Sequence, residues 1–375
     1  MDDDEIRYDT PVLPSAGSSA TAGFNEHYTS CYNLILEAER NALKAYATTC
    51  TESSRQNIMA ARVTGGFLIH LYSKRRILGD GPARSIVSQV TSGSIPAQEV
   101  IYSVGRELRD RLIFSETVNK DPAPSSNHPS RPSFDTLQEM LAQTIQGSGT
   151  DYRTARNKTL ARDGYRCMLT GAFDVNSCSR NRELAILRKR MKAPAAEVQS
   201  CHILNKITLQ GVGEPDGSET ASSRAHAAGV MAILKQFRLG HLVDKLIEKG
   251  GIHRLCNLLS LIQPLHHAFD HLNLWFDETD EENVYEVHAV QDILSLFARV
   301  NRRPHFMVNE ELKNCLTPVL LALHAVCARV AHMSGAAEYF DELERDKEDT
   351  LVVTEESLPL LNNLLSPFAV QISVH

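Results

Sequence analysis

The sequence has no CxxC pair, and its eight cysteines (31, 50, 167, 178, 201, 256, 315 and 327) lie far apart. Such dispersal argues against a zinc ribbon or a compact disulfide scaffold and points to reduced thiols in an intracellular compartment. No apolar run approaches the ~18 residues of a membrane span. The nearest, LTPVLLALHAVCARVAH, is interrupted by His324, Arg329 and His332. The acidic opening MDDDEIRYDT lacks the apolar stretch of a secretory signal, so the expectation is a protein of nucleus or cytoplasm that is not secreted. Positive charge is also in deficit. A net charge of −7 gives no global pull toward nucleic acid, and any polyanion contact must come from a local patch. Internal repeats are absent, which argues against solenoids and propellers.

The 375 residues are 42% hydrophobic and 23% charged, a globular composition long enough for two or three domains. Residues 1–23, rich in Asp, Ser, Ala, Gly and Pro, read as a disordered leader. Residues 24–118 carry helical periodicity, although Gly65-Gly66 weakens the middle helix. The stretch 119–133, with its prolines and serines, reads as a linker. A mixed region, 134–290, holds a helical insertion over 208–251, and 291–375 is helical again. The fold class expected is α+β.

Chemistry gathers in the mixed region. DYRTARNKTLARDGYRC reads as a helix stopped at Asp163-Gly164, where glycine suits the left-handed position past a helix end. EVQSCHIL alternates as a strand that delivers His202 to its edge, and NLLSLI reads as a second strand led by Asn257. Pro264 is placed to begin a helix through LHHAFDHL. His266 and Asp270, four apart, would share one face of that helix and could ligate one divalent ion. A separate histidine could then deprotonate water, since its unperturbed pKa of ~6.5 suits that task. Phosphodiester hydrolysis is the chemistry that fits such a set.

LARDGYRCMLTG, CHIL and NLLSLIQPLHHAFD, in that order, resemble the HNH nuclease domain, in a subfamily common among fungal proteins. The likeness covers roughly residues 152–290 and includes the nine-residue step from Asn257 to His266. It implies a ββα-metal core flanked by helical N-terminal and C-terminal regions. It implies a metal-dependent endonuclease on DNA or RNA, with one divalent ion, magnesium, manganese or zinc. Carried over by position, His202 would be the general base and Asn257 the brace of the long inter-strand loop. His266 and Asp270 would be metal ligands. Cys201 stands where many relatives keep an aspartate or histidine ligand; a thiolate suits zinc and suits magnesium poorly. The alternative is an inactive HNH-fold module that binds nucleic acid or protein. The nuclease reading requires His202, His266 and Asp270 to converge, with the His202 imidazole open to a cleft.

SRNRELAILRKRMK sets Arg180, Arg182, Arg188, Lys189, Arg190 and Lys192 against one acidic residue, a candidate phosphate-contacting patch or a solvated helix face. Other features have plainer readings. His267 and His271 suit a solvated face, Cys167 a structural thiol, Trp275 a core aromatic and FDETDEENVYE a solvated hairpin. Asp270 could instead cap a helix or pair with Arg254.

Overall fold

The computed structural model describes residues 10, 12–93, 95–114, 136–146, 152–204, 221–247, 251–290, 293–306 and 318–350. The expected linker at 119–133, the start of the insertion and the tail beyond 350 lie outside them. The fold is α+β.

The N-terminal part is helical. Helix α1 (Glu26–Thr49) starts where Asn25 accepts from the Tyr28 amide, and α2 (Glu52–Ser73) where Thr51 accepts from Ser54. Then come α3 (Arg75–Leu78), α4 (Gly81–Val90) and α5 (Ala97–Leu108), the last continuing into a π-helical turn, Arg109–Ile113. Helix α2 runs unbroken through Gly65-Gly66. A Cβ at Gly65 would stand 2.6 Å from Leu13 Cδ1, and one at Gly66 would collide with Met333, so the glycines admit neighbours on two sides. Likewise, a Cβ on Gly105 in α5 would strike the Ala60 carbonyl, a backbone contact with no room to give.

Residues 12–23, expected within a disordered leader, are ordered. The Leu13 side chain is buried, the Val12 amide donates to Glu39, and Tyr32 donates to the Pro14 carbonyl. The anchor is a fully buried ion pair between Arg62 and Glu39 at 2.9 Å, from which Arg62 also donates to the Thr10 carbonyl. A buried pair needs polar partners besides each other, and the Val12 amide and the Thr10 carbonyl supply two of them.

Helices α6 (Leu137–Gln146) and α7 (Tyr152–Arg162) open the mixed region. A short strand β1 (Phe173–Asp174) follows, with α8 (Val175–Arg180), α9 (Arg182–Arg190) and β2 (Ala195–Ala196), which pairs in parallel with β1. Strand β3 (Val198–His202) pairs antiparallel with β4 (Leu258–Ile262), Cys201 opposite Leu259 and His202 opposite Leu258. Between them, within the stretch read as an insertion, lie α10 (Ala221–Gln236), which packs toward α4, and α11 (Gly240–Ile247), which packs on α10. Helix α12 (Gln263–Asp270) leaves β4 directly, with Pro264 in its first turn. Strands β5 (Leu274–Glu278) and β6 (Tyr285–Ala289) form a second antiparallel pair.

The chain closes with α13 (Pro318–Ser334) and α14 (Ala336–Thr350). Helix α13 is wedged between α2 and β5, so chain order and spatial order differ: a C-terminal helix completes the N-terminal core. Among the described residues a large buried apolar cluster runs from Leu13 to Phe340 through most of these elements, and Ala155, Leu255 and Leu258 form a small one beside it. Among the described residues no single helix is long and apolar enough to cross a membrane.

Candidate metal centre

The strand pair β3–β4 is buried on both faces, between α7 and α12. Alternation along β3 divides its side chains. Gln199 and Cys201 face α12, where Gln199 Oε1 lies 2.8 Å from His266 Nδ1 and Cys201 Sγ lies 3.4 Å from Asp270 Oδ1. One turn of α12 brings His266 Nε2 to 3.0 Å from Asp270 Oδ2. The Sγ, imidazole and carboxylate atoms of Cys201, His266 and Asp270 all fall within 4.8 Å of one another. Ligands of a tetrahedral ion at about 2.0–2.3 Å are themselves about 3.3–3.8 Å apart, so small side-chain adjustments would close this set around one ion. Cys201 is fully buried, while His266 and Asp270 keep 14% and 19% side-chain exposure, which leaves the group reachable from solvent on the helix side.

The surroundings prepare these donors. An amide oxygen can only accept, so Gln199 fixes a proton on His266 Nδ1 and directs the lone pair of Nε2 toward Asp270. A nitrogen lone pair and a carboxylate oxygen 3.0 Å apart need a proton or a cation between them. Beneath α12, the ring of His324 on α13 stacks on Phe269 at 3.8 Å, and its Nε2 bonds the Phe269 carbonyl at 3.1 Å. Burial drives this imidazole down to about 4, against the opposing pull of that carbonyl and of Asp270. His332 holds the Leu272 carbonyl in the same way at 3.1 Å.

His202 takes the other face of β3, toward α7. Its Nε2 lies 3.1 Å from His253 Nδ1, and the ring of Tyr152 stands 5.9 Å from each imidazole. With 6% exposure it is enclosed rather than open to a cleft as the sequence suggested. The convergence required of His202, His266 and Asp270 is therefore met only in part: His266 and Asp270 join Cys201, whereas His202 lies on the opposite face of β3 with neighbours of its own. The two sets meet at the strand's end, where Cys201 and His202 are consecutive.

Asn257 ties this end of the strand together. Its Nδ2 donates to the carbonyls of Leu204 and Ile252, both at 3.0 Å, and its Oδ1 accepts from the Leu204 amide at 2.8 Å. Both edges of the long inter-strand segment are thus held by one side chain. Arg162, in the RDGYRC stretch, braces the opposite side: it donates to the Leu255 and Leu258 carbonyls at 2.6 and 2.8 Å and pairs with Asp163. Gly164 follows at φ +64°, ending α7 as its position implied.

The remaining candidates fall elsewhere. Arg182, Lys189, Arg190 and Lys192 are exposed on or just beyond α9, whereas Arg180 and Arg188 are half-buried and Arg188 donates to the Ala193 carbonyl. Ile186, Leu187 and Met191 are exposed among them. The rings of His267 and His271 lie 3.9 Å apart, tilted by 37°, outside the Cys201–His266–Asp270 group. The Cys167 thiol is buried in a turn, accepting from the Thr170 amide. Trp275 is 9% exposed in β5. The acidic hairpin is more than solvated surface. Asp277 sits within reach of Lys74, Arg329 and His288, and burial, which alone would raise its carboxyl, is outweighed by Lys74 and Arg329.

Gln199, His253 and Tyr152 were not singled out from sequence. Gln199 carries a usable signal, since it lies two residues before Cys201 and therefore on the same strand face. His253 and Tyr152 carry none. No family model, curated protein or solved structure matches the chain.

Proposed function

We propose that the chain is a metal-dependent endonuclease of the HNH type, hydrolysing phosphodiester bonds of DNA or RNA, with β3, β4 and α12 as its ββα-metal core. The observation that carries this reading is the convergence of Cys201, His266 and Asp270 between the end of β3 and one face of α12. A divalent ion held there, zinc favoured over manganese or magnesium by the thiol, would set positive charge against the phosphate and the leaving oxygen. His202, next to Cys201 but on the other face of β3, is the base of this reading, and it takes a proton from water only where its enclosed ring is opened to solvent. That water's oxygen bonds phosphorus, one P–O ester bond breaks, and the departing oxygen is protonated from solvent. Asn257 keeps the base's segment in place. The exposed cations of α9, with Arg180 and Arg188 behind them, supply countercharge to the nucleic-acid backbone. The dispersed thiols fit a location in nucleus or cytoplasm.

The test is nicking of supercoiled plasmid, with a single-stranded RNA in parallel, under magnesium, manganese or zinc. Wild type should cleave, and His202→Ala should lose about 100-fold or more. Equal rates in the two reject His202 as the base.

Enclosure of His202 favours a second reading, a non-catalytic module on the same frame that binds nucleic acid or protein. It predicts salt-dependent nucleic-acid binding without cleavage under any of the three metals.

A further inference from the structure

We propose that a cavity at the end of α9 binds an unpaired nucleotide, with its base against apolar walls and its phosphates on cations of the rim. Single-stranded nucleic acid is then the substrate class. The cavity's use in catalysis rests on the nuclease reading above; its occupancy does not. Its volume is about 520 Å³, within the ~300–1,000 Å³ of small-molecule sites. Ala172, Pro194, Ala196 and Ile262 line it, and Phe297 is its aromatic member. Lys192 and Arg299, both exposed, reach it from separate segments, and Leu296 borders it with 79% of its surface exposed. Helix α9 ends at Arg190, and Lys192, at φ 49°, turns the chain toward β2. Ile262 is the last residue of β4 and is followed directly by α12, so the cavity adjoins the root of the helix that carries His266 and Asp270.

Charge and apolarity coincide in this part of the molecule. Val175, Ile186, Leu187, Met191 and Leu296 are five of the eight large apolar side chains exposed among the described residues. Arg182, Lys189, Arg190 and Lys192 are exposed among them. Two nearby acids are engaged elsewhere: Asp174 is buried at 3.5 Å from Arg156, and Glu183 accepts from the Leu137 amide at 2.8 Å. Glu197, beside Ala196, is exposed. Phosphate binding alone would call for the cations and leave the apolar walls without a role. A duplex presents phosphates outside and keeps its bases stacked, so it offers these walls nothing. An unstacked base brings a flat apolar face, and Leu, Met and Phe are side chains that wedge or stack against bases. An acidic protein segment would meet part of this chemistry. Cations that run along α9 to Lys192, and again at Arg299, favour a ligand charged at every unit, as a nucleic-acid strand is.

The experiment uses the full chain and fluorescence anisotropy, with no metal added, so that binding is read apart from cleavage. The probes are labelled oligothymidine and oligouridine of about 12 nucleotides, the thymidine strand with its central bases removed, and a duplex of the same length. Either single strand should bind about 10-fold or more tighter than the duplex at equal salt, and removal of the bases should cost about 10-fold. Leu296→Ser, a change at an exposed position, should weaken the intact strand and leave the abasic one within about twofold. Lys192→Gln with Arg299→Gln should weaken both and lower the slope of log affinity against log salt by about 1.4. Leu34→Ser, at an exposed site on α1, should change nothing. Equal affinity for the intact and abasic strands overturns the proposal, and so does a duplex bound as tightly as a single strand. A peptide of alternating glutamate and leucine is the rival probe. If it binds and the strands do not, the surface takes protein and the proposal falls. If the strands bind as expected while no metal supports nicking, the cavity stands and the nuclease reading fails.

Discussion

The helical core and the strand-and-helix site differ in what they bury. Helices α1, α2, α5 and α13 meet through Ile, Leu, Phe and Ala, closed up where Gly105 lets backbones approach and Gly66 admits the side chains of Val330 and Met333. A single charged pair, Arg62 with Glu39, interrupts them. At β3–β4 polar groups are interleaved with apolar ones: Gln199, Ser200, Cys201, His202 and Ser260, with Asn257 just before β4, are all buried. Buried polar groups cost stability unless fully paired, so a cluster of them beside an apolar core marks a place shaped by something other than folding. On the proposed reading, the contrast separates stability from function by region.

Breaking the exception in the apolar region should have the largest effect. Arg62→Met leaves the Glu39 carboxylate buried without its cation and should cost about 3–5 kcal/mol in denaturant unfolding. Replacing both residues with apolar ones of similar size should recover most of that loss, and nicking per folded molecule should be unchanged. Next comes acid. His324 falls to about 4 in the folded chain through burial, against ~6.5 unfolded. Above pH 6.5 both states are neutral and its contribution is full. Between about pH 6.5 and 4 the unfolded chain binds the proton first, and on the order of 3 kcal/mol is lost. His324→Phe, which keeps the stack on Phe269, should flatten this part of the stability–pH curve.

Much of this division was legible in the sequence. Alternation in EVQSCHIL, the apolar run after Asn257 and the placement of Pro264 located β3, β4 and α12 within a residue or two. The four-residue step from His266 to Asp270 put both on one helix face, and Cys201 joins them through strand pairing. What escaped depends on distant contacts. Residues 12–23 have the composition of a disordered segment, and the buried Arg62–Glu39 pair orders them, which local composition does not encode. Helix α13 looked like part of a separate region because periodicity shows an apolar face and not its partner. His253 lies 51 residues from His202, and their contact depends on how the insertion returns to β4.

Smaller effects sharpen the polar side of the contrast. Asn257→Ala removes three hydrogen bonds to backbone and should cost about 2–3 kcal/mol, with early amide exchange confined to residues around 203–204 and 251–254. Gln199→Leu should leave stability within about 1 kcal/mol, since it also frees an apolar side chain to pack, yet weaken metal binding about 10–100-fold by releasing the His266 ring. Isothermal titration with zinc checks it.

The most direct test of the account is cobalt(II) binding to the full chain followed by absorption. One equivalent should bind, with a thiolate-to-metal charge-transfer band that Cys201→Ser abolishes and Asp270→Asn and His266→Ala weaken. Failure to bind, or a band that survives Cys201→Ser, would contradict a metal centre built on Cys201, His266 and Asp270.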